Sequence, residues 1–568
     1  MENKGVEESF MGLRTKYNIL SLLENKTKNY DERVALGIKN SFGWKEYTYK
    51  GLGLMTRKVA CHLINDIGIK KGEIAAILSE SKPEYGACVF ASVISGMTTV
   101  PLDIKLTIYE LTSILLDCEP TVLFVSQHYL DTALELQKKI SSIKYIILMD
   151  EHSKNSGIEN MYELPDNYEA KWRHRSSKST ALIIYTSGTT GAPKGVEISF
   201  ANMMAQLDDL GFALSKILPK QEVNVLSILP MNHLFEMTVG FSTFLNAGFS
   251  VFYAQSLKPK DILGIMREKR VEFMIVVPAF LKLLKSSIEK NLHDAPVATR
   301  LMFKFLYHAA KFVPNYGLKK FMFKPIHDKF GGHFSGCISG GAPMDIDVAR
   351  FFERIGIKVM QGYGLSETSP VVSVNWDRRH DLASVGKPLP HFEYKIDPDS
   401  KELLLRGPSV MKGYHNQPEL TAQTVDEDGW LHTGDIAEIN MHGHLHITGR
   451  IKNMIVLSGG KKVFPEEVEN VIEKSKYLRE VCVFGYSRTF GAKDGTEEIV
   501  AVVVPKEEYY NEYDLETLDN LVKTDIKNLC QHLTPYKRPI SIVVRKEALP
   551  KTTTLKVKRR EVIDLVKI

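Results

Sequence analysis

Residues 185–195 read Tyr-Thr-Ser-Gly-Thr-Thr-Gly-Ala-Pro-Lys-Gly, and their chemistry suits one task, gripping phosphate. Gly188 and Gly191 let the backbone approach a charged ligand closely. Thr186, Ser187, Thr189 and Thr190 supply hydroxyl and amide donors, and Lys194 adds a mobile positive charge. The spacing is not that of the common P-loop, which needs four residues between its glycines and then Gly-Lys-Ser/Thr; here two residues separate Gly188 from Gly191. A flexible surface turn is the competing reading, because Gly, Ser and Thr fill many loops. The preceding apolar run, 181–184 (Ala-Leu-Ile-Ile), favours phosphate: it reads as a buried strand with the loop leaving its carboxyl end.

Other segments carry complementary chemistry. Residues 339–343 (Ser-Gly-Gly-Ala-Pro) and 361–368 (Gln-Gly-Tyr-Gly-Leu-Ser-Glu-Thr) each follow a strand-like run. Small residues at 340–342 admit a flat base, and Tyr363 offers a ring to stack on it. Ser366 can donate to a phosphate or a carboxylate, and Glu367 is a hard oxygen ligand suited to Mg²⁺, although an isolated glutamate is more often a solvated carboxylate. Asp435, in 430–435 (Trp-Leu-His-Thr-Gly-Asp), can accept two O–H donors. By themselves Asp435 would be a turn residue and Arg450, in 447–450 (Ile-Thr-Gly-Arg), a linker charge.

In this order the segments resemble the adenylate-forming superfamily of acyl-CoA synthetases, peptide-synthetase adenylation domains and firefly-type luciferases. The resemblance extends from about residue 20 to about residue 560 without a large insertion. It implies that Thr186 to Gly191 and Lys194 hold the phosphates of ATP, and that Thr186 and Glu367 serve Mg²⁺. Gly341, Ala342, Pro343, Gln361, Gly362, Tyr363 and Ser366 would line the nucleotide pocket, with Asp435 and Arg450 on the ribose. Lys452 corresponds to the family's hinge, and Gly459, Gly460 and Lys461 resemble the loop that meets the pantetheine arm of CoA in the thioester-forming state. Lys556, in 549–556 (Leu-Pro-Lys-Thr-Thr-Thr-Leu-Lys), corresponds to the catalytic lysine, whose ammonium bridges the attacking carboxylate and the α-phosphate. Leu555 departs from the glycine usual before that lysine, and Lys558 is the alternative register.

His233, in 229–236 (Leu-Pro-Met-Asn-His-Leu-Phe-Glu), takes the place of a residue that gates the thiol's path. An acyl pocket is expected from the apolar helix after His233 (Met237, Phe241 and Phe244), with Val277, Pro278 and a floor at the loop 362–364, including Gly364. The implied reaction joins ATP and a carboxylic acid into acyl-AMP and pyrophosphate, after which the CoA thiol displaces AMP. The layout resembles long-chain fatty acyl-CoA synthetases, with fatty acid, ATP and CoA as substrates. Two alternatives are transfer to an acyl carrier protein and an inactive acyl- or nucleotide-binding scaffold, the latter motivated by Leu555.

The elements that must position these residues follow from pattern. At 568 residues the chain exceeds one core. Strand-like runs (73–78, 121–125, 145–148) alternate with helical ones (49–63, 109–116), which predicts α/β layers of mostly parallel strands in a large domain, 1–450. A small, mobile α+β domain, 451–568, should follow. The uncharged stretches 85–102 and 237–257 contain Gly, Ser and Thr and read as buried helix turning into buried strand rather than as membrane spans. Lys plus Arg number 73 and Asp plus Glu 68, a net +5 too small to suggest nucleic acid. Six scattered cysteines without a CxxC pair suit a reducing cytoplasm. Residues 300–333 carry seven Lys or Arg and one acid among aromatic residues, consistent with either an anionic membrane surface or a solvated face.

Overall fold

The computed structural model describes residues 29–566 except 42, 152–156, 170–172, 174, 187–192, 219–221, 378–380, 458–460, 488–496 and 552–556. Its contacts divide the chain into two compact units: Met1–Glu393 with Leu405–Leu431, and Tyr394–Leu404 with His432–Ile568.

The first unit is α/β, as the alternation predicts, and contains two large sheets. In one, Tyr145–Leu148, Val122–Val125, Ile74–Leu78, Thr98–Pro101 and Thr180–Thr186 lie side by side in parallel. Lys194–Ser199 and then Gly413–Tyr414 extend that sheet antiparallel. In the other, five parallel strands run from Lys358–Gly364 through Gly336–Ser339, Phe273–Val276 and Asn224–Ser227 to Ser250–Tyr253. Strands such as Val-Leu-Phe-Val at 122–125 and Phe-Met-Ile-Val at 273–276 are wholly buried, which is why they read as unbroken apolar runs rather than alternating ones.

Helices cover the sheets. Pro83–Ile94 is buried along its whole length and leads to the strand Thr98–Pro101, as the sequence pattern anticipates. Reciprocal side-chain caps start two others: Thr107 with Glu110 before Ile108–Cys118, and Ser199 with Asn202 before Phe200–Ile217. Among the described residues no helix is long and apolar enough to cross a membrane. All six cysteines are unpaired and buried, and burial pushes the thiols of Cys118 and Cys482 up to about 12.

The second unit is built on a three-stranded sheet, Leu478–Ser487, Glu497–Pro505 and Ser541–Val544. Alternation along it is strict. Val481, Val483, Ile499, Ala501 and Val503 face a core shared with Pro465–Ile472 and Leu515–Cys530. Cys482, Phe484, Val500, Val502 and Val504 face another, which includes Val562 of Arg559–Leu565. The antiparallel pair Leu431–Ile439 and Leu445–Arg450 packs with this unit from His432 onward, whereas the sequence reading drew the boundary after Arg450. Packing there is close: the Phe464 ring lies where a side chain on Gly449 would sit, 2.7 Å from its Cβ position.

Candidate functional site

Thr186 ends one strand and Lys194 begins the next, and the two are direct antiparallel partners, as are Tyr185 and Gly195. The phosphate-type loop is therefore closed at its base by a regular ladder. Ser187, Gly188, Thr189, Thr190 and Gly191 lie outside the described residues. Two anchors hold the base in place. Tyr185 donates its hydroxyl to Asp117 at 2.5 Å. Gly195 has no room for a side chain, its Cβ position being 2.8 Å from the Ile183 methyl.

Tyr414, which the sequence reading passed over, organises the mouth of this loop. It sits opposite Val196 on the next strand, donates its hydroxyl to Glu367 Oε1 at 2.8 Å, and places its ring 5.5 Å from Lys194 Nζ. The Met411 amide also donates to the Glu367 carbonyl at 2.8 Å, so the glutamate is fixed at backbone and side chain. Behind this cluster Glu197 accepts from His415 Nδ1, Lys412 Nζ and Thr180 Oγ1, each at 2.7 Å. The His415 hydrogen bond, with lesser help from Lys412 and Thr180, holds the carboxyl at about 2 against burial, and raises His415 in turn. No local sequence signal marks Tyr414; in the structure it stands between two unusual backbones, Gly413 at φ 154° and Asn416 at φ 53°.

The other expected nucleotide residues divide by what they do here. Gly341 has φ 84°, a left-handed turn just past the strand Gly336–Ser339, and Ala342 and Pro343 follow at the surface. Gln361 is buried and donates to the Leu382 carbonyl at 2.5 Å, so its side chain holds neighbouring backbone. Gly362, Tyr363 and Gly364 end the strand Lys358–Gly364, with Ser366 and Glu367 in the turn beyond it. Gly364 cannot carry a side chain, because its Cβ would lie 1.8 Å from the Pro370 carbonyl.

In the second unit Asp435 and Arg450 are opposite partners in the antiparallel pair. Arg450 Nε meets Asp435 Oδ1 at 2.6 Å; Asp435 is 1% exposed. Lys452 is exposed in a short turn after Arg450, and Lys461 Nζ lies 4.5 Å from the Tyr536 ring. Gly459, Gly460, Lys556 and Leu555 lie outside the described residues. Lys558 is paired with Glu561 at 2.7 Å.

His233 is held below the ordinary imidazole value, chiefly by burial and against the pull of Asp103, so its ring is neutral near pH 7. Three residues on, Glu236 is wholly buried. It accepts from Ser227 Oγ at 2.6 Å, while Oε2 has no partner among the described residues, and burial pushes its carboxyl up to about 8. Gly240 leaves space for it, a Cβ there falling 2.2 Å from Oε1.

The expected acyl wall is only partly brought together. A narrow apolar cavity of about 20 Å³ is lined by Leu210, Leu214, Phe235, Val239, Thr243, Phe244, Ile338 and Gly362, among others. Met237, Phe241, Val277, Pro278 and Gly364 are not in that lining. Glu236–Thr243 is a π-helix, with Ser242 and Thr243 hydroxyls donating to carbonyls five residues back; Phe235, Val239, Thr243 and Phe244 meet the cavity, whereas Met237 and Phe241 do not. Phe241 packs instead on Phe90 and against Gly86.

These features can be compared with known proteins. The family model described as AMP-binding enzyme matches residues 23–415, and the model of its C-terminal domain matches residues 467–556. The chain belongs to the AMP-binding enzyme family, whose members are adenylate-forming ligases. A long-chain-fatty-acid–CoA ligase of Salmonella typhimurium is 28% identical, with 91% of this chain and 90% of that protein aligned. An Arabidopsis thaliana chloroplastic long-chain-fatty-acid–[acyl-carrier-protein] ligase is 27% identical over 95% of this chain and 84% of its own. Among solved structures, ATP-bound MatB from Rhodopseudomonas palustris superposes with a TM-score of 0.76 at 23% identity, covering 97% of this chain and 99% of the other. This AMP-binding enzyme thus has the α/β fold of adenylate-forming ligases.

Proposed function

We propose that this enzyme activates a long-chain fatty acid with ATP and passes the acyl group to CoA. The observation that carries the proposal is the cluster of Lys194, Tyr414 and Glu367 at the closed base of the phosphate-type loop, in a chain aligned over nine-tenths of its length with a long-chain-fatty-acid–CoA ligase. Lys194 and the loop donors would neutralise the phosphates while a substrate carboxylate oxygen attacks the α-phosphorus and pyrophosphate leaves. Glu367, fixed on one oxygen by Tyr414, fits a Mg²⁺ site, since that ion uses one or two protein carboxylates with substrate phosphates. With the Thr186 hydroxyl it would hold the ion that screens the triphosphate charge. Asp435 would accept the ribose hydroxyls and Arg450 would support it. Lys556 would assist adenylation.

In the second step the CoA sulfur attacks the acyl carbonyl carbon and AMP departs. Neutral His233 suits the lining of the thiol's path, because it places no charge beside an apolar chain. Gly459, Gly460 and Lys461 would flank the pantetheine arm. The cavity beside Phe235 and Phe244 is apolar throughout most of its lining, and its volume exceeds that of one water only slightly. A long tail would therefore enter by displacing those two rings.

The aligned Arabidopsis acyl-carrier-protein ligase favours a second reading, in which a carrier's pantetheine replaces CoA. The test is pyrophosphate release by the purified full chain across acids from acetate to oleate, with CoA or holo-carrier as acceptor. Release rising with chain length and requiring CoA is expected. Preference for short acids overturns the substrate assignment, holo-carrier dependence selects the second reading, and absence of any carboxylate-dependent exchange leaves a binding scaffold.

A further inference from the structure

The helix Val297–Ala309 is apolar on two sides. Its inner side is satisfied: Phe303 stacks on Tyr307 and meets Phe323, and Tyr307 meets Phe351. Its outer side carries Val297, Leu301, Met302 and Phe305, all exposed, at helical spacings that place them together. The following segments carry further exposed rings. Phe312, in the turn Ala310–Phe312, is 79% exposed, and Phe321, in the helix Tyr316–Met322, is 74% exposed. A helix apolar all round is ordinarily buried on every side. Here, three exposed phenylalanines fall within 17 residues of chain, more than scattered surface hydrophobics account for.

The charge around these side chains says what covers them. From residue 297 to 333 there are seven Lys or Arg and one acid, Asp328. That surplus of six exceeds the surplus of five for the whole chain, so the remainder is close to neutral. Asp328 is already engaged by Lys324 at 2.6 Å. Lys304 and Lys311, beside Phe305 and Phe312, have no ion-pair partner among the described residues; Lys311 Nζ instead lies 5.8 Å from the Phe312 ring. Long lysine stems can keep their charge in water while neighbouring rings enter an apolar layer. A protein partner would need an acidic rim around a greasy centre; an anionic bilayer supplies both phases in one surface.

We infer that the face formed by Leu301, Phe305, Phe312 and Phe321, ringed by Lys304 and Lys311, docks this enzyme on an anionic lipid bilayer, lying in the headgroup layer without crossing it. None of these side chains belongs to the site described above, and the inference goes beyond the proposed reaction.

The experiment is cosedimentation of the full chain with vesicles of phosphatidylcholine alone or of equal parts phosphatidylcholine and phosphatidylglycerol. Binding to the anionic vesicles, weakened by added salt, is expected. Combined Phe305→Ser, Phe312→Ser and Phe321→Ser should weaken it about a hundredfold, roughly fivefold per ring. Lys304→Glu with Lys311→Glu should remove the preference for anionic over neutral lipid. Circular dichroism and turnover of a short, water-soluble acid should be unchanged in all variants, because these side chains are solvent-facing. Equal sedimentation with both vesicle types, no sedimentation with either, or concentration-dependent dimerisation that the same serine substitutions abolish would each overturn the inference.

Discussion

Glu236 allows a quantitative test of how the core beside the apolar cavity is built. Its carboxyl, wholly enclosed and hydrogen-bonded only to Ser227 among the described residues, titrates at about 8 against an ordinary 4.5 because burial penalises the charged form. The folded value lies above the unfolded one, so the native protein keeps a proton that the unfolded chain releases. Stability from this group is complete below pH 4.5, declines as pH rises towards 8 and is level above it. At pH 7 the decline amounts to about 3 kcal/mol, from two and a half pH units at about 1.4 kcal/mol each, and at pH 5 to less than about 1 kcal/mol. Glu236→Gln keeps shape and the Ser227 partner but never titrates, so its advantage over the parent protein should grow by about 2 kcal/mol between pH 5 and pH 7. All four tryptophans fall in the first unit, so urea unfolding followed by tryptophan fluorescence reads the part that contains Glu236. A stability difference that stays constant over that range, or that shrinks as pH rises, would refute the assignment of a neutral buried carboxyl.

Tyr414→Phe keeps the ring beneath Lys194 but loses the donor to Glu367, and carboxylate-dependent pyrophosphate exchange should fall about tenfold, the worth of one hydrogen bond to a charged group; an unchanged rate would remove Tyr414 from the site. Asp435→Asn should raise the KM for ATP about tenfold while the fold survives, since Arg450 is 43% exposed and can be solvated; an unaltered KM would count against ribose binding there. Gly364→Ala forces a methyl to 1.8 Å from the Pro370 carbonyl and should cost about 3 kcal/mol in urea denaturation together with most exchange activity; a stable, active variant would contradict the packing. Lys556→Ala should abolish adenylate formation yet preserve thioester formation from supplied acyl-adenylate, and equal loss of both steps would reject its catalytic role.

Much of the architecture is legible in one dimension because its causes are local. The apolar runs at 122–125 and 181–184 can satisfy neither water nor an amphipathic helix, and both are interior strands. The pairing of Thr186 with Lys194 likewise follows from a short loop between two strand-forming runs. Other features depend on partners far along the chain. Nothing in 410–416 alone says that Tyr414 will face Glu367, 47 residues earlier, because Gly413–Tyr414 is placed by pairing with Lys194–Ser199, far away in the chain. Which residues of 236–244 meet the cavity is hidden for the same reason, since Phe241 packs on Phe90 and against Gly86, far earlier in the chain.

The placement of the cysteines has a practical corollary for following the proposed chemistry. Each of the six sits inside the protein, and burial raises every one of the thiols, that of Cys530 to about 11, so the folded enzyme presents little thiolate to an aromatic disulfide dye. Such a dye added during turnover would report the coenzyme sulfhydryl alone, giving a continuous optical trace of CoA consumption with no correction for the catalyst. The same reagent becomes an alarm when the enzyme loses its structure, since six new equivalents per chain would then react.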